Sequence, residues 1–352
     1  MIRVDHRNAG ENMKETIYHT FGIDVRQFTP YGSYQSFQTA EAFFLIVPVS
    51  HLREEELSEL YHISQYLLNA GDPYVAVFEL TNEEKPTFTH GKEQYALLKA
   101  APPLSSRSFQ QASELAAFHV RGRGFPYEVS ETKRVGAWKE LWAKRLDQLE
   151  GFWMQQMHQK PLERFEQKFI ESFPYYLGLT ENAIQYLVDT ELDDEPKEGD
   201  SGTVCHQRFS RMTWPHEQPL RLPVDWVFDH PTRDIAEYLR ETFVQHKEDL
   251  IEEGFSFLQQ YEEVTPLSSF SKRLLYSRLL FPLHYFEIVE GYYMSGENEK
   301  SYYEERLDYV LNDANRYEYF LKVFQEMSAM RSGGTPIPAV GWIQPAADLK
   351  FQ

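Results

Sequence analysis

Residues 204–213 read Val-Cys-His-Gln-Arg-Phe-Ser-Arg-Met-Thr, and residues 222–236 read Leu-Pro-Val-Asp-Trp-Val-Phe-Asp-His-Pro-Thr-Arg-Asp-Ile-Ala. The apolar and β-branched residues before His206 predict a short strand over 203–206, followed by a polar loop. Residues 220–226 predict a second strand ending on Asp225 and Trp226. Pro231 then stands where the first turn of a helix tolerates a missing N–H, so Asp234-Ile235-Ala236 opens a helix. The order is strand, polar loop, strand, helix, with His206, Arg208, Thr213, Asp225 and Asp234 as its polar landmarks.

Upstream of this core the punctuation is that of an antiparallel meander. Strands are predicted over 25–29, 34–38 and 42–49, separated by Pro30-Tyr31-Gly32-Ser33 and Thr39-Ala40-Glu41. The third, AFFLIVPV, is apolar throughout and is expected to be buried on both faces. Ser50 offers an N-cap, Glu54, Glu55 and Glu56 suit the positive end of a helix dipole, and Leu57, Leu60, Ile63, Leu67 and Leu68 recur at helical spacing. Gly71 and Pro73 end that helix, and 74–80 and 94–98 predict two more strands. From residue 106 the period turns helical, with one stripe over 109–120 and a longer one from Trp138 to Trp153. Helices are predicted over 162–173 and 181–188. The run 189–202, with seven carboxylates and one lysine, reads as a solvated linker. Residues 268–293 are helical with a kink at Pro282, and 299–330 form a long amphipathic helix. The fold class is α+β, with a β-rich region over 1–100, a helical region over 101–330 and an extended tail over 331–352, docked through Trp342 and Ile343.

Composition removes several classes of function. Thirty-five Lys and Arg against 54 Asp and Glu leave a formal charge of −19, which repels phosphate backbones and anionic lipid, so neither nucleic-acid binding nor membrane insertion is expected. At 42% hydrophobic residues, with 25 Phe, 22 Tyr and 6 Trp, the chain has material for a sizeable core. The single cysteine closes no intramolecular disulfide and builds no cysteine-based zinc cage. Cys205 and His206 with His216 match no usual ligand spacing, and Gly122-Arg123-Gly124 lacks the strand and phosphate-binding helix of an anion loop and reads as a turn. The glutamates 150, 163, 166 and 171 are ordinary solvated helix faces. No stretch has the length of a membrane span or the character of a signal peptide, so synthesis and folding in the cytoplasm are expected.

The strand, loop, strand and helix around His206 and Asp225 resemble the core of the aminoglycoside and choline kinases. There the loop reads H-G-D-x-x-x-x-N, the next strand ends I-D-W/F, and D-x-A opens the helix. The resemblance implies a bilobal protein-kinase-like fold, with the strand-rich first hundred residues as the small lobe and the helix at Glu114 to His119, followed by Gly122 and Phe125, as the first long helix of the large one. It covers residues 23–330. Within this superfamily ELAAFHVRGRGFPYE and VGAWKELWAKRLDQLE resemble the kinase-like spore coat proteins of the CotS group and its YutH type. That resemblance implies a place in the endospore coat, partners among other spore coat proteins and synthesis in the mother cell.

Departures from the kinase pattern decide what is expected of the site. His206 stands at the family histidine, but Arg208 occupies the position of the catalytic aspartate and Thr213 that of the magnesium-binding asparagine. A guanidinium, with a pKa above about 12, accepts no proton from a hydroxyl, and losing a positioned base costs on the order of 10² to 10⁴ in rate. Residues 42–49, the counterpart of the strand whose lysine holds the phosphates, contain neither lysine nor arginine. Asp225 is either a vestigial metal ligand or the partner of Arg208 in an internal ion pair, and the pair is the preferred expectation. Asp234 is expected to be structural. The expected function is therefore a catalytically inactive, structural component of the coat, without ATP or magnesium as cofactors. The competing readings are an ATP- and Mg-dependent small-molecule kinase of the aminoglycoside, choline or homoserine kinase type, and a nucleotide-binding sensor.

Overall fold

The computed structural model describes residues 6–102, 110–159, 162–210, 213–214, 220–244, 250–331, 337–341 and 343. In chain order they form α1 (His6–Phe21), β1 (Thr29–Tyr31), β2 (Tyr34–Gln38), β3 (Phe43–Pro48), α2 (Glu54–Asn69), β4 (Val77–Phe78), β5 (Phe88–His90), β6 (Glu93–Ala100), α3 (Gln111–Arg123), α4 (Trp138–Gln156) and α5 (Arg164–Asp193). There follow β7 (Thr203–His206), β8 (Trp226–Asp229), α6 (Thr232–Val244), α7 (Leu250–Val264), α8 (Ser269–Leu280), α9 (Leu283–Met294), α10 (Glu297–Asn312) and α11 (Ala314–Arg331). Packing groups the chain into two compact units. The first comprises Met1–Lys133, Gly202–Asp234 and Glu263–Thr265, and the second Arg134–Ser201, Ile235–Glu262 and Pro266–Gln352.

The sheet of the first unit is antiparallel, in the order β1-β2-β3-β6-β4, with β5 also on β6. β3 is buried from Phe43 to Val47, as its unbroken apolar run predicts, and Pro48 is its last residue. Helix α2 buries Leu57, Leu60, Ile63 and Leu67, and Gly71, at φ +84°, follows its end. Its N-cap is Arg53, whose N–H donates to Glu56 at 3.0 Å; Ser50 instead donates to Glu93 at 2.8 Å. Helix α1 carries no strong pattern, yet Met13 and Ile17, one turn apart, are buried with Val25, Phe37, Phe44 and Leu97. The strand expected over 25–29 is irregular up to Thr29, and that expected over 74–80 shrinks to β4. The backbone of 74–76 pairs with Arg221 instead: Arg221 N donates to Tyr74 O at 2.9 Å and Ala76 N to Arg221 O at 3.0 Å.

Arg221 is buried, bonded to Asp72 and, at 3.0 Å, to Glu114, and lies 4.2 Å from the Trp214 ring and 5.2 Å from that of Phe118. A buried guanidinium is tolerable only when so paired and stacked. Gly122 lies within α3 and not in a turn. A Cβ there would stand 2.6 Å from Thr203 Oγ1 and 2.8 Å from Val204 N, so only glycine lets α3 approach β7 this closely.

In the second unit the two helices expected over 162–173 and 181–188 are one, α5, which continues through Pro174. Proline removes the N–H that would bond the carbonyl of Ile170, and the Trp153 indole supplies that bond at 3.1 Å. The acidic run is not wholly solvated. α5 extends to Asp193, and a 3₁₀ turn at Glu198–Asp200 buries Asp200, which accepts from Ser268 at 2.6 Å and from Ser271. At Phe281 and Pro282 the chain breaks into α8 and α9 rather than kinking, and Asp313 divides the long helix expected over 299–330 into α10 and α11. In the tail, Ile337 and Ile343 are buried and Pro338 O accepts from Tyr186 at 3.1 Å; Trp342 lies outside the described residues. Among the described residues no helix is long and apolar enough to cross a membrane.

Candidate functional site

β7 and β8 pair antiparallel with His206 opposite Trp226, which brings the polar loop beside the turn that carries Asp225. The second strand starts later than the sequence predicts: Pro223–Asp225 form a 3₁₀ turn, because Pro223 has no N–H to give a ladder. Gln207 N donates to Asp225 O at 2.7 Å, locking loop and turn together.

Asp234, in the first turn of α6, is the hub beneath the loop. Its carboxylate accepts the His206 backbone N–H at 3.0 Å, the His206 ring at Nδ1 at 2.8 Å and the His119 ring at Nε2 at 3.2 Å. All three residues are buried. A carboxylate only accepts, so each facing ring nitrogen carries its proton. Burial opposes the charge of Asp234, but the charge and hydrogen bonds of His206 and His119 prevail and hold its pKa well below the usual carboxylate range. Burial pushes the pKa of His119 down, against the pull of Asp234. Cys205 Sγ, His119 Nε2 and an Asp234 oxygen lie within 4.8 Å of one another, a set that could ligate a metal. The carboxylate is already bonded to three N–H groups and the thiol faces the carbonyls of Asp229 and His230 at 3.6 and 3.5 Å, so the cluster is closed by hydrogen bonds as it stands. His216, weighed as a ligand from the sequence, lies outside the described residues.

The remaining landmarks are turned to other uses. Arg208 is exposed, and its Nη1 donates to the neighbouring Gln207 carbonyl at 3.4 Å. Thr213 staples the loop: its hydroxyl donates to Arg208 O at 2.9 Å and accepts from Ser210 N at 2.9 Å. Arg233, which the sequence reading passes over, donates to His206 O at 2.8 Å, Gln207 O at 3.1 Å and Asp229 at 2.8 Å. Its signal was the Asp229/Arg233 spacing of four at a helix start.

Asp225 is not the ion-pair partner of Arg208. The charges that act on it are His206 and His51; burial raises its pKa, and those two histidines only partly oppose the rise. No cation stands on β3. Lys99 on the adjacent β6 is 3.3 Å from Glu79. In kinases a strand lysine pairs with a helix glutamate. Here a carboxylate of α2, Glu59, is occupied elsewhere: it accepts from Ser130 N at 2.6 Å, Glu131 N at 3.0 Å, Thr132 N at 2.9 Å and Thr132 Oγ1 at 3.0 Å. Burial opposes its charge, but these bonds hold its pKa low.

Residues 14–324 match the family described as "Spore coat putative kinase YutH". The chain belongs to the YutH family. It is 60% identical over 332 residues to the endospore coat-associated protein YutH of Bacillus subtilis (strain 168), covering 94% of this chain and 98% of that protein. Among solved structures it resembles an aminoglycoside phosphotransferase from Alicyclobacillus acidocaldarius, with TM-score 0.65, 15% identity, and coverage of 87% of this chain and 93% of that one. A spectinomycin phosphotransferase with ADP and spectinomycin gives TM-score 0.60 and 12% identity, over 90% of this chain and 98% of that one. At these identities the structures establish a kinase-like fold for this family member.

Proposed function

We propose that this YutH-family chain is a catalytically inactive, kinase-like component of the bacterial endospore coat, acting through contacts with other coat proteins and without ATP or magnesium. One observation carries the loss of chemistry: an exposed arginine, Arg208, stands in the loop where the kinase pattern has its proton acceptor. It brings positive charge and no basicity to the place where a hydroxyl must lose its proton. The lysine-free β3, the engagement of Glu59 by residues 130–132 and the use of Thr213 inside its own loop support the same reading. The coat assignment is supported by the 60% identical relative, whose name places it at the endospore coat. What is kept, the buried network of His119, His206 and Asp234, serves the fold.

The test is localisation. A fluorescent fusion of the full chain, expressed in sporulating Bacillus subtilis lacking its own YutH, is expected to reach the spore coat, and folded Arg208→Ala and Asp225→Ala variants should reach it equally. Diffuse fluorescence from the unmodified chain would overturn the coat role. Loss of coat location only in the folded variants would show that the old catalytic site is in use.

A further inference from the structure

Beneath the loop, three donor atoms of different chemistry converge from three elements: ring nitrogen Nε2 of His119 on α3, the Cys205 thiol on β7 and the Asp234 carboxylate on α6. All three residues are buried, and the atoms lie within 4.8 Å of one another. His119 Nε2 stands 3.2 Å from Asp234 Oδ2 and 3.9 Å from Cys205 Sγ. A zinc ion, with bonds of about 2.3 Å to sulfur and about 2.0–2.2 Å to nitrogen and oxygen, sets tetrahedral neighbours about 3.3–3.6 Å apart, so both separations fall within about 0.4 Å of a coordination edge.

The three side chains are also held from outside the triangle. Asp234 Oδ2 accepts the His206 ring N–H at 2.8 Å and Oδ1 the His206 amide at 3.0 Å, while Thr203 Oγ1 donates to the His119 carbonyl at 2.6 Å. Outer hydrogen bonds of this kind orient metal ligands. The carbonyl oxygens of Asp229 and His230, 3.6 and 3.5 Å from the sulfur, offer a fourth ligand. Thiolate and imidazole suit zinc, whereas magnesium and calcium take oxygen.

We infer that His119, Cys205 and Asp234 form a buried structural zinc site that ties α3, β7 and α6 together. Hydrogen bonds close the cluster as it stands, and on binding the ion takes the place of the one between His119 and Asp234. The His119 ring coordinates through Nε2 as its Nδ1–H tautomer, and the thiol gives up its proton to solvent. One thiolate and one carboxylate then balance the two positive charges, so no net charge is buried. The site uses neither Arg208 nor Asp225, and it is independent of whether the chain transfers phosphate.

The experiment is metal analysis of the untagged full chain, expressed in minimal medium supplemented with Zn²⁺ or, separately, Co²⁺ and purified without chelator. About one equivalent of zinc per chain is expected, and stripping it with a chelator is expected to lower the unfolding midpoint by several degrees. Cys205 is the chain's single cysteine, so in the cobalt form a thiolate-to-cobalt charge-transfer absorption reports on this site alone. That absorption is expected, together with the intense visible bands of tetrahedral cobalt. Folded Cys205→Ala and His119→Leu variants are each expected to retain less than about a tenth of the metal. Should neither variant fold, the cobalt spectrum of the unmodified chain decides by itself. A folded unmodified chain that carries neither zinc nor cobalt overturns the inference. So does cobalt bound without the thiolate absorption, or zinc retained in full by Cys205→Ala, since either places the ion elsewhere.

Discussion

Replacing Asp234 with alanine removes the acceptor of three N–H groups: the His206 amide, the His206 ring and the His119 ring, all buried. Each orphaned donor costs about 1–3 kcal/mol, a sum of roughly 3–9 kcal/mol. The imidazoles can turn to recover part of this, which brings the expected loss to about 3–5 kcal/mol, the range for removing one partner from a buried charged pair. A domain holds only about 5–15 kcal/mol in total. At roughly 2 °C per kcal/mol for a chain of this size, the midpoint falls by about 6–10 °C, read by calorimetry or circular dichroism. The cycle with His119→Leu sharpens the test, because deleting His119 removes one of the orphans. The double variant should be less destabilised than the sum of the singles by about 1 kcal/mol or more. A loss below about 1 kcal/mol for Asp234→Ala, or strict additivity in the cycle, would refute the hub.

Three further outcomes are expected. Glu59→Gln loses the charge that holds residues 130–132 and should cost about 1–2 kcal/mol, with faster hydrogen exchange at Ser130, Glu131 and Thr132; unchanged exchange would count against that anchor. Trp153→Phe leaves the Ile170 carbonyl without its indole donor and should cost about 1–2 kcal/mol, recovered when Pro174→Ala restores the backbone N–H; no recovery in the double variant would mean the indole bond is not what Pro174 requires. His284 is buried and, by burial first and then by Arg240 and Arg306, its pKa is pushed down to about 3. Between about pH 6.5 and that value the unfolded chain binds a proton there and the folded one does not. Stability therefore falls as pH falls, at about 1.4 kcal/mol per unit for this one group, and His284→Phe should flatten the pH profile by that share. Parallel profiles for the two proteins would contradict the assignment.

Local pattern was enough where packing agreed with it. β7 spans residues 203–206 as read from the sequence, and α2 has Leu57, Leu60, Ile63 and Leu67 on its buried face, while Leu68 is exposed. The pattern failed where a distant group supplied what the local chain lacked. Pro174 reads as an obstacle to α5 until Trp153 is found on the freed carbonyl. Asp200 reads as one more solvated carboxylate until Ser268 and Ser271 are found bonded to it. α1, with Gly10 in its first half, is held by Met13 and Ile17 in the core rather than by propensity. At the site, the substitutions at Arg208 and Thr213 were legible because they are changes of residue type at a recognisable spacing. The pairing preferred for Arg208 with Asp225 was wrong, since opposite charges in a loop and a turn do not determine which way either side chain points. Glu59 left no trace in sequence, because its partners are backbone amides some seventy residues away.

Absence of phosphoryl transfer is the central claim, and the most direct measurement is ADP release by the purified full chain with Mg·ATP and a panel of amino-alcohol, aminoglycoside and sugar acceptors. The account predicts no ADP above the protein-free rate, and no change in that rate for Asp225→Ala. Steady ADP release that requires an acceptor and disappears in Asp225→Ala would contradict it, and would make this chain a kinase that works without the usual base.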